Sequence, residues 1–157
     1  MRRPETSSEA LKKCISDALL NPQQDIDFKK IQALVRQSQD DTGQARKLIN
    51  TTKPTEPGWS TIYKLYYDVL HALVEGFLLF DQVKSSNHWC LFAYLCEKHS
   101  ELDFDWKFFE EVRTKRNGIQ YYGTSITYND WKKIELQINL YITTMKRAVE
   151  EKLSKTK

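Results

Sequence analysis

Between positions 113 and 123 the chain reads Arg113, Thr114, Lys115, Arg116, Asn117, Gly118, Ile119, Gln120, Tyr121, Tyr122 and Gly123. Cations cluster first, then an amide, then two phenols. Arginine presents a planar fork of N–H donors that matches phosphate oxygens two at a time. Asparagine both donates and accepts, and a tyrosine ring can stack on a base. Arg113 and Arg116 stand three apart and share a helix face. The chemistry on offer is recognition of a phosphate-bearing ligand, RNA or a nucleotide. Arg116 and Tyr121 are five apart, which sets them about 140° apart on a regular helix. They become neighbours if the helix ends or loosens between them, and Gly118 marks a place for that. The competing reading is a solvated basic helix end, its cations set against the dipole and Gly118 or Gly123 serving as the cap. Spacing alone leaves both open.

Other titratable residues are fewer. His88 opens a helical stretch; it either caps locally or approaches the basic cluster and supplies a proton acceptor. His71 falls between apolar positions and reads as packed. His99 lies near a helix end, where a cation offsets the dipole. Cys14, Cys90 and Cys96 show no zinc-type spacing with these histidines, so no metal is expected. Cys90 and Cys96 sit in apolar helical surroundings, which predicts reduced, buried thiols and a cytoplasmic chain. Among the rings near the cluster, Trp106 and Phe109 keep helical spacing and read as core. Tyr121 and Tyr122 are the better stacking candidates.

Helices must position these groups. Thr6 and Glu9 fit a capping box. Leu11, Ile15, Ala18 and Leu19 follow a helical period that Asn21-Pro22 stops. A second helix begins near Asp25 or Asp27, breaks at Asp40-Asp41-Thr42-Gly43, and a short third carries Ala45, Leu48 and Ile49. Pro54, Pro57 and Gly58 mark a linker. Beyond it, with Ser60 as N-cap, Ile62, Tyr66, Val69, Leu70, Leu73, Phe77 and Phe80 give the strongest helical period in the chain. Ser85-Ser86-Asn87 recaps, and Trp89, Phe92, Ala93 and Cys96 follow. Asp103 or Asp105 starts the helix bearing Arg113 and Arg116. Thr127 or Asn129 starts a last one with Trp131, Ile134, Ile138, Tyr141, Ile142, Met145 and Val149 on one face.

No strand is expected. Five glycines and four prolines in 157 residues argue against a turn-rich β fold. The predicted architecture is all-α: an antiparallel up-down helical bundle over residues 59–157, with a small helical N-terminal extension over residues 1–53. The longest apolar stretch, residues 69–80, contains His71 and Glu75 and is too short to span a bilayer. The first residues lack an apolar run, so no signal peptide is expected. A formal net charge of +3 permits an acidic partner without requiring one.

With that helix order around it, the segment from Arg116-Asn117 to Tyr121-Tyr122-Gly123 resembles the signature of the HEPN superfamily. Its hallmark is an arginine, often followed directly by a polar residue, then a histidine after an interval of four to six residues. Arg116 and Asn117 match its start, and Tyr121 stands where the histidine would fall. The resemblance spans residues 59–153 and leaves out the N-terminal helices. It implies a small helical bundle acting as a homodimer, with two motifs meeting in a cleft. Many members are metal-independent endoribonucleases of toxin–antitoxin or other defence systems; others bind RNA or nucleotides without cleaving. Carried over, Arg116, Asn117 and Tyr121 would stand at the reacting phosphate, with no cofactor; from the residues themselves, Arg113, Lys115, Tyr122 and His88 are the further candidates for RNA or phosphate contact. A phenol titrates near 10 and an imidazole near 6.5. The tyrosine therefore suits hydrogen bonding or stacking better than general-base work, and a binding or weakly active member is the expectation. The alternative is a non-enzymatic interaction module, paired with an antitoxin, a nucleotidyltransferase-type protein or another partner.

Overall fold

A computed structural model describes residues 6–156. Its helices are α1 (Ser7–Ser16), α2 (Phe28–Thr51), α3 (Trp59–Leu79), α4 (His88–Lys98), α5 (Trp106–Tyr122) and α6 (Tyr128–Lys155). A 3-10 turn, Ser100–Leu102, follows α4. The fold is an all-α helical bundle. Two-residue strands, β1 (Asn21–Pro22) and β2 (Val83–Lys84), pair antiparallel, a small exception to the strand-free expectation.

Side chains written into the sequence start these helices. Thr6 accepts from the Glu9 N–H at 3.1 Å, Asp27 from Lys30 at 3.0 Å, Asn87 from Cys90 at 3.3 Å and Asp105 from Lys107 at 3.0 Å. Thr127 and Asp130 form a reciprocal capping box. Each cap satisfies an N–H that has no partner inside its helix. The Ser60 hydroxyl, expected as a cap, instead accepts from the Ile126 N–H at 2.8 Å, while Gly58 occupies the N-cap.

α3 is the axis of the bundle. Ile62, Tyr63, Leu70, Val74 and Leu78 are fully buried on successive turns, as befits a helix covered on all sides. α2 runs antiparallel to it: Leu34 lies against Gly76 toward one end, and Arg46 and Tyr66 line one cavity toward the other. α6 runs parallel to α3, with the Tyr66 and Trp131 rings 4.5 Å apart near one end and Lys152 over Phe77 at 5.3 Å near the other. α5 opposes α6, since Phe109 meets Tyr141 and Lys115 meets Asp130. The Tyr141 hydroxyl accepts from the Asp105 N–H at 2.8 Å and from Gln137 Nε2 at 3.1 Å, tying the start of α5 to α6. Tyr141→Phe is expected to cost about 1–3 kcal/mol, the penalty for stranding a half-buried donor, read as a lower urea midpoint with an unchanged slope.

Three expectations are corrected. The first helix ends at Ser16, not at Asn21-Pro22: Ala18 takes φ +54°, and the Leu19 carbonyl accepts from the Ser85 hydroxyl at 2.6 Å. The predicted break at Asp40–Gly43 is absent and α2 runs through it. Burial of Ser38 and Ala45 holds the helix there, and the Thr42 hydroxyl donates to the Ser38 carbonyl inside it at 2.6 Å. Cys14 and Cys90 are not reduced thiols. They form a disulfide joining α1 to α4, Cα atoms 5.8 Å apart across 76 residues of sequence. Their separation along the chain hid a pairing that the packing of α1 on α4 creates. Cys96 remains free, and burial pushes its thiol up to about 12. Ala10 and Leu11 of α1 and Ile31, Leu34 and Ala45 of α2 belong to the same core cluster as α3 to α6.

Candidate functional site

α5 presents the basic segment. The helix does not loosen at Gly118; it continues to Tyr122 and stops at Gly123, whose φ of +66° suits a residue without a side chain. The Thr124 N–H then donates to the Gly118 carbonyl at 3.1 Å. A Cβ on Gly118 would meet Thr124 Oγ1 at 3.3 Å, so this glycine lets the outgoing chain fold back over the last turn.

Arg113, Asn117 and Tyr121 recur every fourth residue and form one row along α5, with Arg116 beside it. Arg116 and Tyr121 therefore reach the same place without a break in the helix, because the large ring lies along the row. Arg113, Arg116, Asn117 and Tyr121 line a depression of about 340 Å³ together with Asn87 and His88 from the start of α4. A neighbouring depression of about 420 Å³ shares Arg113, Asn117 and Tyr121 and adds Lys115, Tyr122 and Thr124. Lys115 and Tyr122 thus lie around the corner from His88. Tyr121 is 70% exposed and Tyr122 84%, large rings in water and free to stack. Trp106, Phe108 and Phe109 are buried in the core.

The arginines differ in how firmly they are held. Arg113 forms a bidentate pair with Glu110, at 3.0 and 3.2 Å. Arg116 has a single loose contact, Nη2 to Asp68 Oδ1 at 3.7 Å, and its guanidinium lies 5.5 Å from the centre of the Tyr67 ring. Its buried Nε has no hydrogen-bond partner. Of the two, Arg116 gives up less to meet an incoming phosphate. Lys115 is paired with Asp130 at 3.6 Å.

Behind Arg116 lies a group that the sequence reading did not assemble. Tyr67 hydroxyl and His88 Nδ1 are 2.9 Å apart. The His88 and His71 rings stack with centroids 3.7 Å apart. Burial raises the Tyr67 pKa, against the pull of Arg116 and Arg113, so the phenol keeps its proton. Burial also lowers the pKa of both histidines. His71 is pushed down to about 3 by desolvation, then by His88 and Arg116; His88 is lowered by desolvation, then by Arg116 and Arg113. Both imidazoles are therefore neutral near pH 7. Two tautomers satisfy the Tyr67–His88 bond. If Nδ1–H donates to Tyr67, the other His88 nitrogen is left to accept a proton; if Tyr67 donates, that nitrogen carries N–H and can donate to a phosphate oxygen. Tyr67 and His71 are four apart on one face of α3. A polar pair on an otherwise apolar helix was the available signal.

His99 lies elsewhere. Its rings nitrogens meet Asp81 and, at 3.2 Å, Glu101. The Asp81 hydrogen bond raises its pKa against the effect of burial. It stands at the C-cap of α4, the helix end where a cation was expected, but as a largely buried ion-pair residue and not a surface group.

Among the described residues, no cluster of three or more His, Cys, Asp or Glu is placed to hold a metal ion, and no helix is long and apolar enough to cross a membrane. No family model, curated protein or solved structure matches the chain. The site therefore rests on its own geometry.

Proposed function

We propose that the chain binds RNA at the α4–α5 depression in the manner of a HEPN domain. In this reading Arg116 and Asn117 meet a phosphate, Arg113 and Lys115 add charge, and Tyr121 and Tyr122 stack on bases. The observation that carries it is the convergence of Arg113, Arg116, Asn117, Tyr121 and His88 on one depression. The same reading makes the working form a homodimer in which two such depressions meet, with an antitoxin or nucleotidyltransferase-type protein as a further partner.

The base is the point of difference from the family pattern. Tyr121 occupies the histidine's place in the motif, yet a neutral imidazole from α4 lines the depression. If His88 takes the proton of a ribose 2′-hydroxyl, that oxygen attacks the adjacent phosphorus and the bond to the 5′-oxygen breaks. The products are a cyclic phosphate and a 5′-hydroxyl end. The leaving oxygen takes a proton from solvent or from His88.

The affinity of a labelled single-stranded RNA of about 16 nucleotides tests the binding role. Arg116→Ala is expected to weaken it roughly tenfold, the scale of one charge-assisted hydrogen-bonding group, and to lower the salt slope by about 1. Tyr121→Ala, an exposed position whose loss leaves the core intact, is expected to cost at least fivefold through lost stacking. Unchanged affinity in both variants would contradict the reading.

One observation favours a protein partner instead. Leu136 and Leu140, one turn apart on α6, are 85% and 60% exposed. A stable complex through that face in a chain that retains no RNA would favour the interaction-module reading.

A further inference from the structure

A second cavity lies away from the α4–α5 depression. It has a volume of about 390 Å³ and is formed by α2, α3 and α6, within the range of roughly 300–1,000 Å³ that small-molecule sites occupy. Its floor is apolar: Val69 and Leu73 from α3 and Ile142 from α6. Arg46 stands on the α2 wall and Lys146 on the α6 wall, and no carboxylate lines the cavity.

Three of the neutral polar side chains around it are committed to the protein. The Ser38 hydroxyl donates to the Val35 carbonyl and the Thr42 hydroxyl to Ser38, while Asn139 Nδ2 donates to the Glu135 carbonyl. The charged donors at the cavity are the two cations, and Gln39, Tyr66 and Thr143 add neutral polar groups. Tyr66 is buried and lines the same cavity as Arg46.

Gly43 supplies an independent observation. It sits inside the uninterrupted α2, where glycine is less favourable than alanine. It does not have a positive φ, and an added Cβ would meet nothing within 4 Å. Neither backbone conformation nor packing requires glycine there. Gly43 does line the cavity, and any side chain at that position takes up part of its space.

We infer that this cavity is a binding site for a small organic anion with an apolar body, its charged end held by Arg46 and Lys146 and its body resting on Val69, Leu73 and Ile142. A ring or short alkyl chain fits the floor, and a carboxylate or phosphate ester fits the cations.

Titration of the isotopically labelled chain with 4-phenylbutyrate and with phenyl phosphate, followed by amide NMR, tests this. Both anions are expected to shift amides of residues 38–46 and 139–146 and to saturate below about 10 mM. The neutral 4-phenyl-1-butanol is expected to bind at least fivefold more weakly. Arg46→Gln should weaken the anions at least fivefold, and Gly43→Leu should abolish their binding while leaving the melting temperature unchanged or raised. The carboxylate and phosphate arms separate the two anion classes, and saturation by either one supports the site. Absence of saturation by both anions, equal binding of the alcohol, undiminished binding in Gly43→Leu, or shifts confined to residues 113–122 would each overturn it.

Discussion

Replacing Cys14 and Cys90 together by alanine is expected to lower the unfolding free energy by about 4 kcal/mol, the loop-closure entropy of a crosslink spanning this much chain. The bond joins residues 76 apart, so it removes far more freedom from the unfolded chain than a local bridge does. Both sulfurs are fully buried; beside them the Ser7 hydroxyl donates to Glu97, and Ala10 and Leu11 add their buried faces. In a chain of this size the loss translates into a melting temperature lower by about 10 °C. Cys96→Ala is the control for side-chain loss alone. Thiol counting after unfolding adds a chemical check, with one reactive thiol expected in the oxidised chain and three after reduction. Equal stability of the oxidised and reduced chains would mean that burial alone seats α1. The bond also bears on the site, because Cys90 lies in the first turn of α4, two residues after His88.

The second large effect is acid lability from the buried histidines. His71 has its folded pKa pushed down to about 3, against about 6.5 in the unfolded chain. The unfolded state therefore binds more protons between those values. The stability contributed by neutral His71 is full above about 6.5 and is lost progressively as pH falls toward 3. At 1.36 kcal/mol per pKa unit, the loss is on the order of 3–5 kcal/mol. His88 is shifted in the same direction. His99 works oppositely: its raised pKa gives stability that is present below about 6.5 and lost as pH rises through its folded value. Asp130 and Glu101, both depressed, add to acid loss below the ordinary carboxylate range. Measuring unfolding free energy against pH in wild type and His71→Leu isolates the histidine part. The variant is expected to show a flatter profile between about pH 6.5 and 4. Parallel profiles would mean that His71 does not carry the effect.

Much of the frame was legible in the sequence because its signals are local. The caps at Thr6, Asp27, Asn87, Asp105 and Thr127 each act over two or three residues, and the apolar stripes of α3 and α6 repeat over many turns. The misreadings came where tertiary contacts override local preference. Asp40-Asp41-Thr42-Gly43 reads as a break, yet burial of Ser38 and Ala45 on either side keeps α2 continuous. Cys14 and Cys90 each looked like a small apolar residue, and nothing near either one points to the other.

The site was legible in part. Residues 113–122 stood out because cations, an amide and exposed phenols have no packing role there. Spacing alone implied that Arg116 and Tyr121 needed a helix break to meet, whereas the row through Arg113 and Asn117 brings the ring to the same depression. Tyr67 and Asp68 escaped notice, and His71 read only as packed, because they sit in the most apolar helix among the described residues. The group they form with His88 and Arg116 spans three helices, and such a group appears only when the bundle closes.

The decisive measurement is amide-shift mapping of the labelled chain during titration with single-stranded RNA. Saturating shifts are expected at residues 86–89 and 113–122, requiring roughly tenfold more RNA in Arg116→Ala. Shifts confined to the exposed face of α6 around Leu136 and Leu140, or no saturable shifts at all, would contradict RNA binding at the α4–α5 depression.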